Sequence, residues 1–135
     1  MTNANGAAIA QAARSALGSP FRLHGRDPQI GLDCLGLVLF ALRSTRDDTP
    51  TLPDYRLRQS DVTPWLAVAE QAGLHRATGV QRAGEIWLTR SHLLQLHLLI
   101  AAGPHSFIHA HAGVGRVVES PAPLPWPAIR RWHAS

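Results

Sequence analysis

Gly31-Leu32-Asp33-Cys34-Leu35-Gly36-Leu37-Val38 decides how this chain is read. The stretch holds the one cysteine of the sequence, where a glycine-bearing loop gives way to an apolar run, Leu35 to Leu42, at helical spacing. Asp33 stands at an N-cap position, suited to accept a backbone N–H of the first turn, and Cys34 is then the first helical residue. A thiol there lies beside unpaired backbone N–H groups and the positive end of the helix dipole, which favours the thiolate. Taken alone, a solitary cysteine is more often inert core than nucleophile, because free cysteines are among the most buried residues. Partners elsewhere in the chain decide between the two.

Working outward, a first helix is predicted over about Ala7 to Leu17, with Ile9, Ala13 and Leu17 on one face, and Gly18-Ser19-Pro20 ends it. The segment Phe21 to Gly31 reads as an irregular surface loop. The helix opened by Asp33 runs to about Arg46, with Leu35, Val38, Leu39 and Leu42 as its buried stripe. Asp47 to Tyr55 reads as an irregular crossing loop, and Asp61 to Leu74 as a third helix with Asp61 or Thr63 as cap and Pro64 in the first turn. Beyond Gly79 the pattern alternates. Glu85 to Thr89, Leu94 to Ala101, Ser106 to Ala110 and Gly115 to Ser120 read as strands, the proline-dense 121–127 as an extended strap, and Ala128 to His133 as a last strand. The prediction is an α+β fold, with N-terminal helices packed on a mainly antiparallel sheet of about five strands.

At 135 residues the chain is expected to form one domain, 1–135, with a core that needs no disulfide or metal staple. Its single cysteine forms no internal disulfide. No signal peptide and no run of membrane-spanning length is visible, so the expectation is synthesis in the cytoplasm without membrane insertion. All 13 basic residues are arginine, the formal net charge is +4, and the arginines are scattered without an aromatic platform between them. That argues against nucleic acid as a partner.

Most of the eight histidines lie in the strand half. His97 interrupts the apolar run Leu96 to Ile100, and His109 sits in Phe107-Ile108-His109-Ala110, one predicted strand later. On neighbouring strands both imidazoles can share a face of the sheet, with the thiol-bearing helix packed against that face. This is the arrangement a cysteine nucleophile requires: a base in reach, held in its tautomer by a third polar group. A metal alternative rests on His105, His109 and His111 at alternating positions near His97, but no carboxylate or cysteine completes a ligand spacing. A purely structural or binding role for the fold is the other alternative.

Pro20 to Gly25, Gly31 to Val38, Ala83-Gly84-Glu85-Ile86, His97 to Ile100 and Phe107 to Ala110 together resemble the NlpC-type family of papain-like bacterial cell-wall cysteine peptidases. The Leu after the cysteine and the closing Val117 to Pro121 look most like the branch found in phage and gene-transfer-agent tail clusters. The resemblance implies a papain-like fold and hydrolysis of peptide bonds in peptidoglycan stem peptides, commonly between D-γ-glutamyl and a diamino acid. It implies Cys34 as nucleophile, His97 as general base and then acid, His109 as the orienting third member, and the Cys34 N–H as oxyanion donor. Asp33 would bind the free amino end of the stem peptide. No cofactor is implied, and the implied partners are the stem peptide and other tail proteins, with action in the cell envelope. The family often has tyrosine where this chain has Phe21 and serine where it has Leu35, both facing the substrate's amino end. Arg22, His24 and Arg26 are candidates for replacement contacts there.

Overall fold

The computed structural model describes residues 4–46, 61–92 and 95–134. Helix α1 (Ala4–Ser15) is followed by a two-residue hairpin, β1 (Arg26–Asp27) and β2 (Gly31–Leu32), and then by α2 (Cys34–Leu42) and α3 (Thr63–Gln71). Six strands follow: β3 (His75–Arg76), β4 (Ile86–His92), β5 (Gln95–Ala101), β6 (Ser106–His111), β7 (Arg116–Pro121) and β8 (Ala128–His133). They form one sheet in the order β3-β8-β4-β5-β6-β7, with every neighbouring pair antiparallel. The predicted α+β architecture of helices first and antiparallel strands second is what the structure has.

Several details differ, among them the end of α2, at Leu42 rather than about Arg46, and the narrower span of α3. The sheet has six strands where about five were expected, because the exposed pair His75–Arg76 follows α3 and docks on β8. Two residues carry too short an alternation to register in sequence. Helix α1 starts earlier and ends earlier than its apolar face suggested, with Ala16, Leu17 and Ser19 closing it through turn bonds to Ala13, Arg14 and Ala16. The loop after α1, expected to be irregular, contains the β1–β2 hairpin, while the predicted crossing loop Asp47 to Tyr55 lies outside the described residues.

Alternation along the central strands sorts the sheet into two faces. Leu96, Leu98, Ile100, Ile108 and Ala110 join the main core with α1, α2 and α3. Their neighbours Leu99, Ala101 and Phe107 form a second cluster on the opposite face, covered by Trp87, Leu124 and Trp126. The strap 122–127 therefore runs over that face, as its prolines suggested, before β8 enters the sheet beside β4. A buried Glu85 joins this face to β8: its Oε1 accepts from Arg131 at 2.8 Å and from the Trp87 indole at 3.0 Å.

Helix α2 is buried on nearly every side, all of its residues but Phe40 being enclosed. One flank touches backbone: a Cβ at Gly36 would run into the Gly25 carbonyl oxygen of the preceding loop. Glycine at 36 thus lets the loop lie directly on the first helical turn. Gly36→Ala is expected to destabilise the fold by about 1–3 kcal/mol, read as a lower urea midpoint at unchanged m-value.

Candidate active site

Asp33 caps α2 with an extended backbone, and its Oδ1 accepts the Gly36 N–H at 2.7 Å. The same carboxylate holds the preceding loop: Oδ2 accepts the His24 N–H at 2.8 Å, and Oδ1 accepts from Arg26 Nη1 at 3.2 Å. Arg26 also donates to the Gly25 carbonyl at 2.9 Å. His24 adopts a left-handed backbone with φ 63°, a conformation unfavourable for a residue with a Cβ, and the bond to Asp33 helps hold it there. With 0% exposure the Asp33 carboxylate must be satisfied internally, and these contacts satisfy it. In this state the Asp33 oxygens serve the chain itself.

The cap leaves the first two helical N–H groups without intrahelical acceptors, and both, those of Cys34 and Leu35, bear on the Cys34 sulfur. A third comes from the sheet. Pairing between β5 and β6 is registered only at Ile100↔Ile108 and Ala101↔Phe107, so Leu98, further toward the start of β5, has its N–H released from the ladder and facing the sulfur. These three donors favour the thiolate, but burial outweighs them. Cys34 is 0% exposed, and desolvation, assisted by the Asp33 charge, pushes the thiol up to about 12. The thiolate expected from helix position alone is not the resting form, because a dipole effect confined to the helix end is smaller than the loss of hydration.

The imidazoles lie on the other face of β5 and β6. His97 shares the parity of Leu99 and Ala101, and His109 that of Phe107, whereas α2 packs against Leu98 and Ile108. The expectation that helix and imidazoles share one face is corrected accordingly. Helix α2 delivers its first residue to the opening between the strands, beside the residue that follows His97. His97 Nε2 meets His109 Nδ1 at 2.8 Å, and His109 Nε2 meets Ser120 Oγ on β7 at 2.8 Å. Trp126 lies edge-on over both rings, with centroids 5.9 Å from His97 and 6.5 Å from His109. Burial, then the neighbouring His109 and His111, holds the His97 imidazole down to about 3; burial and His111 hold His109 down to about 4. At neutral pH the site rests as a thiol and two neutral imidazoles.

Leu35 is 1% exposed and faces the core space bounded by Val38, Trp65, Leu98 and Trp132, as expected for the buried stripe of α2; one helical step turns it from the sulfur into the core. Phe21 is half-buried, its N–H donated to the Gly115 carbonyl at 2.8 Å, and Arg22 is exposed on the same loop. Both ring nitrogens of His109 are engaged by protein partners, which disfavours the three-histidine metal alternative, and His111 Nδ1 accepts the Val114 N–H at 3.1 Å. Sequence reasoning missed Ser120 and the released Leu98 N–H. Ser120 carried no signal beyond being polar at the end of a strand; the Leu98 N–H carried none, since strand splaying is not written in residue types. Trp126 also borders a cavity of about 410 Å³ with Trp87, Phe107 and Leu124 on the imidazole face.

No protein-family model and no curated protein matches the sequence. Solved structures do match the fold. The crystal structure of the NlpC/p60 domain of the peptidoglycan hydrolase SagA is similar over 86% of this chain and 88% of that one, at TM-score 0.61 and 25% identity. The fold is NlpC-type and papain-like. NlpC2 from Trichomonas vaginalis is similar at TM-score 0.69 and 19% identity, over 96% of this chain and 47% of that one, so this chain spans about half the length of NlpC2.

The buried groups set a pH window for stability. Below 6.5 an unfolded chain protonates His97 and His109, whereas the folded site keeps them neutral down to about 3 and 4, so their contribution falls as pH drops through that range. Above 9.0 an unfolded thiol ionises while folded Cys34 stays protonated to about 12, so its contribution falls as pH rises. Urea midpoints across pH are expected to be highest between these limits, and Cys34→Ala is expected to flatten the alkaline decline while leaving the acid one.

Proposed function

We propose that this chain is a cysteine peptidase that hydrolyses peptide bonds in peptidoglycan stem peptides, with the bond between D-γ-glutamyl and a diamino acid as its target. The observation that carries the reading is the 2.8 Å contact of His97 Nε2 with His109 Nδ1, at an opening where the Cys34 sulfur meets the Leu98 N–H. The likeness to the NlpC/p60 domain of a peptidoglycan hydrolase supports the substrate class. In this mechanism His97 Nδ1 takes the proton of Cys34 as the sulfur attacks the scissile carbonyl, since neither group is charged at rest. The Cys34 N–H, bearing on the sulfur at the helix start, is the oxyanion donor. His97 then returns the proton to the leaving amine, and water hydrolyses the thioester with His97 again as base. His109 holds the ring of His97 so that Nδ1 remains the basic nitrogen. Delivery as part of a phage-tail or gene-transfer-agent particle would bring a chain made in the cytoplasm to the cell envelope.

Incubation with peptidoglycan fragments, followed by mass analysis, is expected to give products cut at the γ-glutamyl bond. Cys34→Ala is expected to give none, and His97→Ala a rate lower by about 10²–10⁴-fold. No cleavage by the wild type, or undiminished cleavage by Cys34→Ala, would overturn the proposal.

The complete burial of Cys34 favours a second reading, a non-catalytic structural or binding component of the same fold. Because the chain has one cysteine, alkylation reports on Cys34 alone. The catalytic reading expects iodoacetamide labelling near neutral pH that falls in acid and in His97→Ala; the structural reading expects a thiol that reacts only on unfolding.

A further inference from the structure

We propose that Ser120 is a positioning residue of this site, acting through His109 to set which nitrogen of His97 is basic. The inference rests on the catalytic reading of His97 and adds a fourth member to its hydrogen-bonded chain. His97, His109 and Ser120 lie in series across β5, β6 and β7, joined by two contacts of 2.8 Å each.

Two proton arrangements satisfy both contacts while the rings are neutral. In one, His97 Nε2–H donates to His109 Nδ1 and His109 Nε2–H donates to Ser120 Oγ. In the other every donor is reversed: Ser120 O–H donates to His109 Nε2, His109 Nδ1–H donates to His97 Nε2, and His97 carries its remaining proton on Nδ1, where it is no base. Once His97 has taken the thiol proton it is protonated on both nitrogens. Its Nε2–H must then be a donor, His109 must accept on Nδ1 and carry its own proton on Nε2, and Ser120 Oγ must be the acceptor. The charged state therefore has one arrangement only, and it ends on Ser120. An acceptor at that end favours the imidazolium over the neutral ring, through a bond that strengthens when the chain carries charge.

Neighbouring contacts hold the serine in place. Ser120 pairs across the sheet with Phe107, and the adjacent Glu119 is tied to Ser106 of β6 at 2.7 Å and to Arg14 of α1 at 2.9 Å, which anchors β7 beside it. Threonine keeps a hydroxyl at this position, whereas alanine leaves His109 Nε2–H without its acceptor.

The test uses the full chain with ¹⁵N-labelled histidine, in which the nitrogen shifts distinguish the tautomers, together with kcat/KM on peptidoglycan fragments. The wild type is expected to show both His97 and His109 protonated on Nε2. Ser120→Ala is expected to shift His109 toward a tautomer mixture and to lower kcat/KM by about 3–30-fold with little change in KM. Ser120→Thr is expected to restore both. A wild-type His109 protonated on Nδ1, or a Ser120→Ala spectrum with unchanged tautomers in a folded protein, would overturn the role of Ser120. If the wild type cleaves no fragment, the catalytic reading fails, while the tautomer spectra still decide whether Ser120 sets the proton arrangement.

Discussion

The carboxylate of Asp33 is the constraint on which the rest of the site depends. A buried charge without partners is costly, so the chain must bring donors to it, and those donors come from both sides of Cys34. The Gly36 N–H fixes the start of α2, while the His24 N–H and Arg26 fix the loop that leads into it. Between those attachments the position of Cys34 has little freedom. Gly36 completes the arrangement by letting the Gly25 carbonyl lie against the helix. A cap of this kind commonly contributes about 0.5–2 kcal/mol to a helix, but here it also determines where a sulfur sits.

The second organising feature is the incomplete pairing of β5 and β6. Where two strands remain laddered, their N–H groups are consumed; where they part, one becomes available to a side chain. The Leu98 N–H is released in this way and lowers the thiol's tendency to stay protonated, though burial outweighs it. The opening also resolves the problem of faces. Helix α2 covers one side of the sheet and the imidazoles line the other, yet the helix terminus reaches the gap between them. Burial of all three groups keeps them uncharged at rest, so the proposed attack starts from a neutral thiol and neutral imidazoles rather than from a standing ion pair.

Much of this was legible in the residues. The Asp-Cys cap followed by an apolar run, the switch from helical spacing to alternation after Gly79, and histidines set into apolar strands each state a local physical preference, and local preferences survive into the fold. The failures have a common cause. The strand β3 is too short to show alternation, and the earlier start of α1 depends on what the helix meets rather than on its own apolar face. The tautomer relay to Ser120 joins residues from three strands, and no spacing in the chain encodes that distance.

What the sequence by itself determined is the order of elements and the α+β class, because capping and periodicity are properties of short segments. The tertiary structure alone decided the protonation states and the partners. Whether Cys34 rests as thiol or thiolate depends on how much water its surroundings exclude, and which nitrogen of His97 is basic depends on a hydrogen-bonded chain running to β7. Both are set by packing between distant segments, where desolvation and cross-strand geometry outweigh the local helix field.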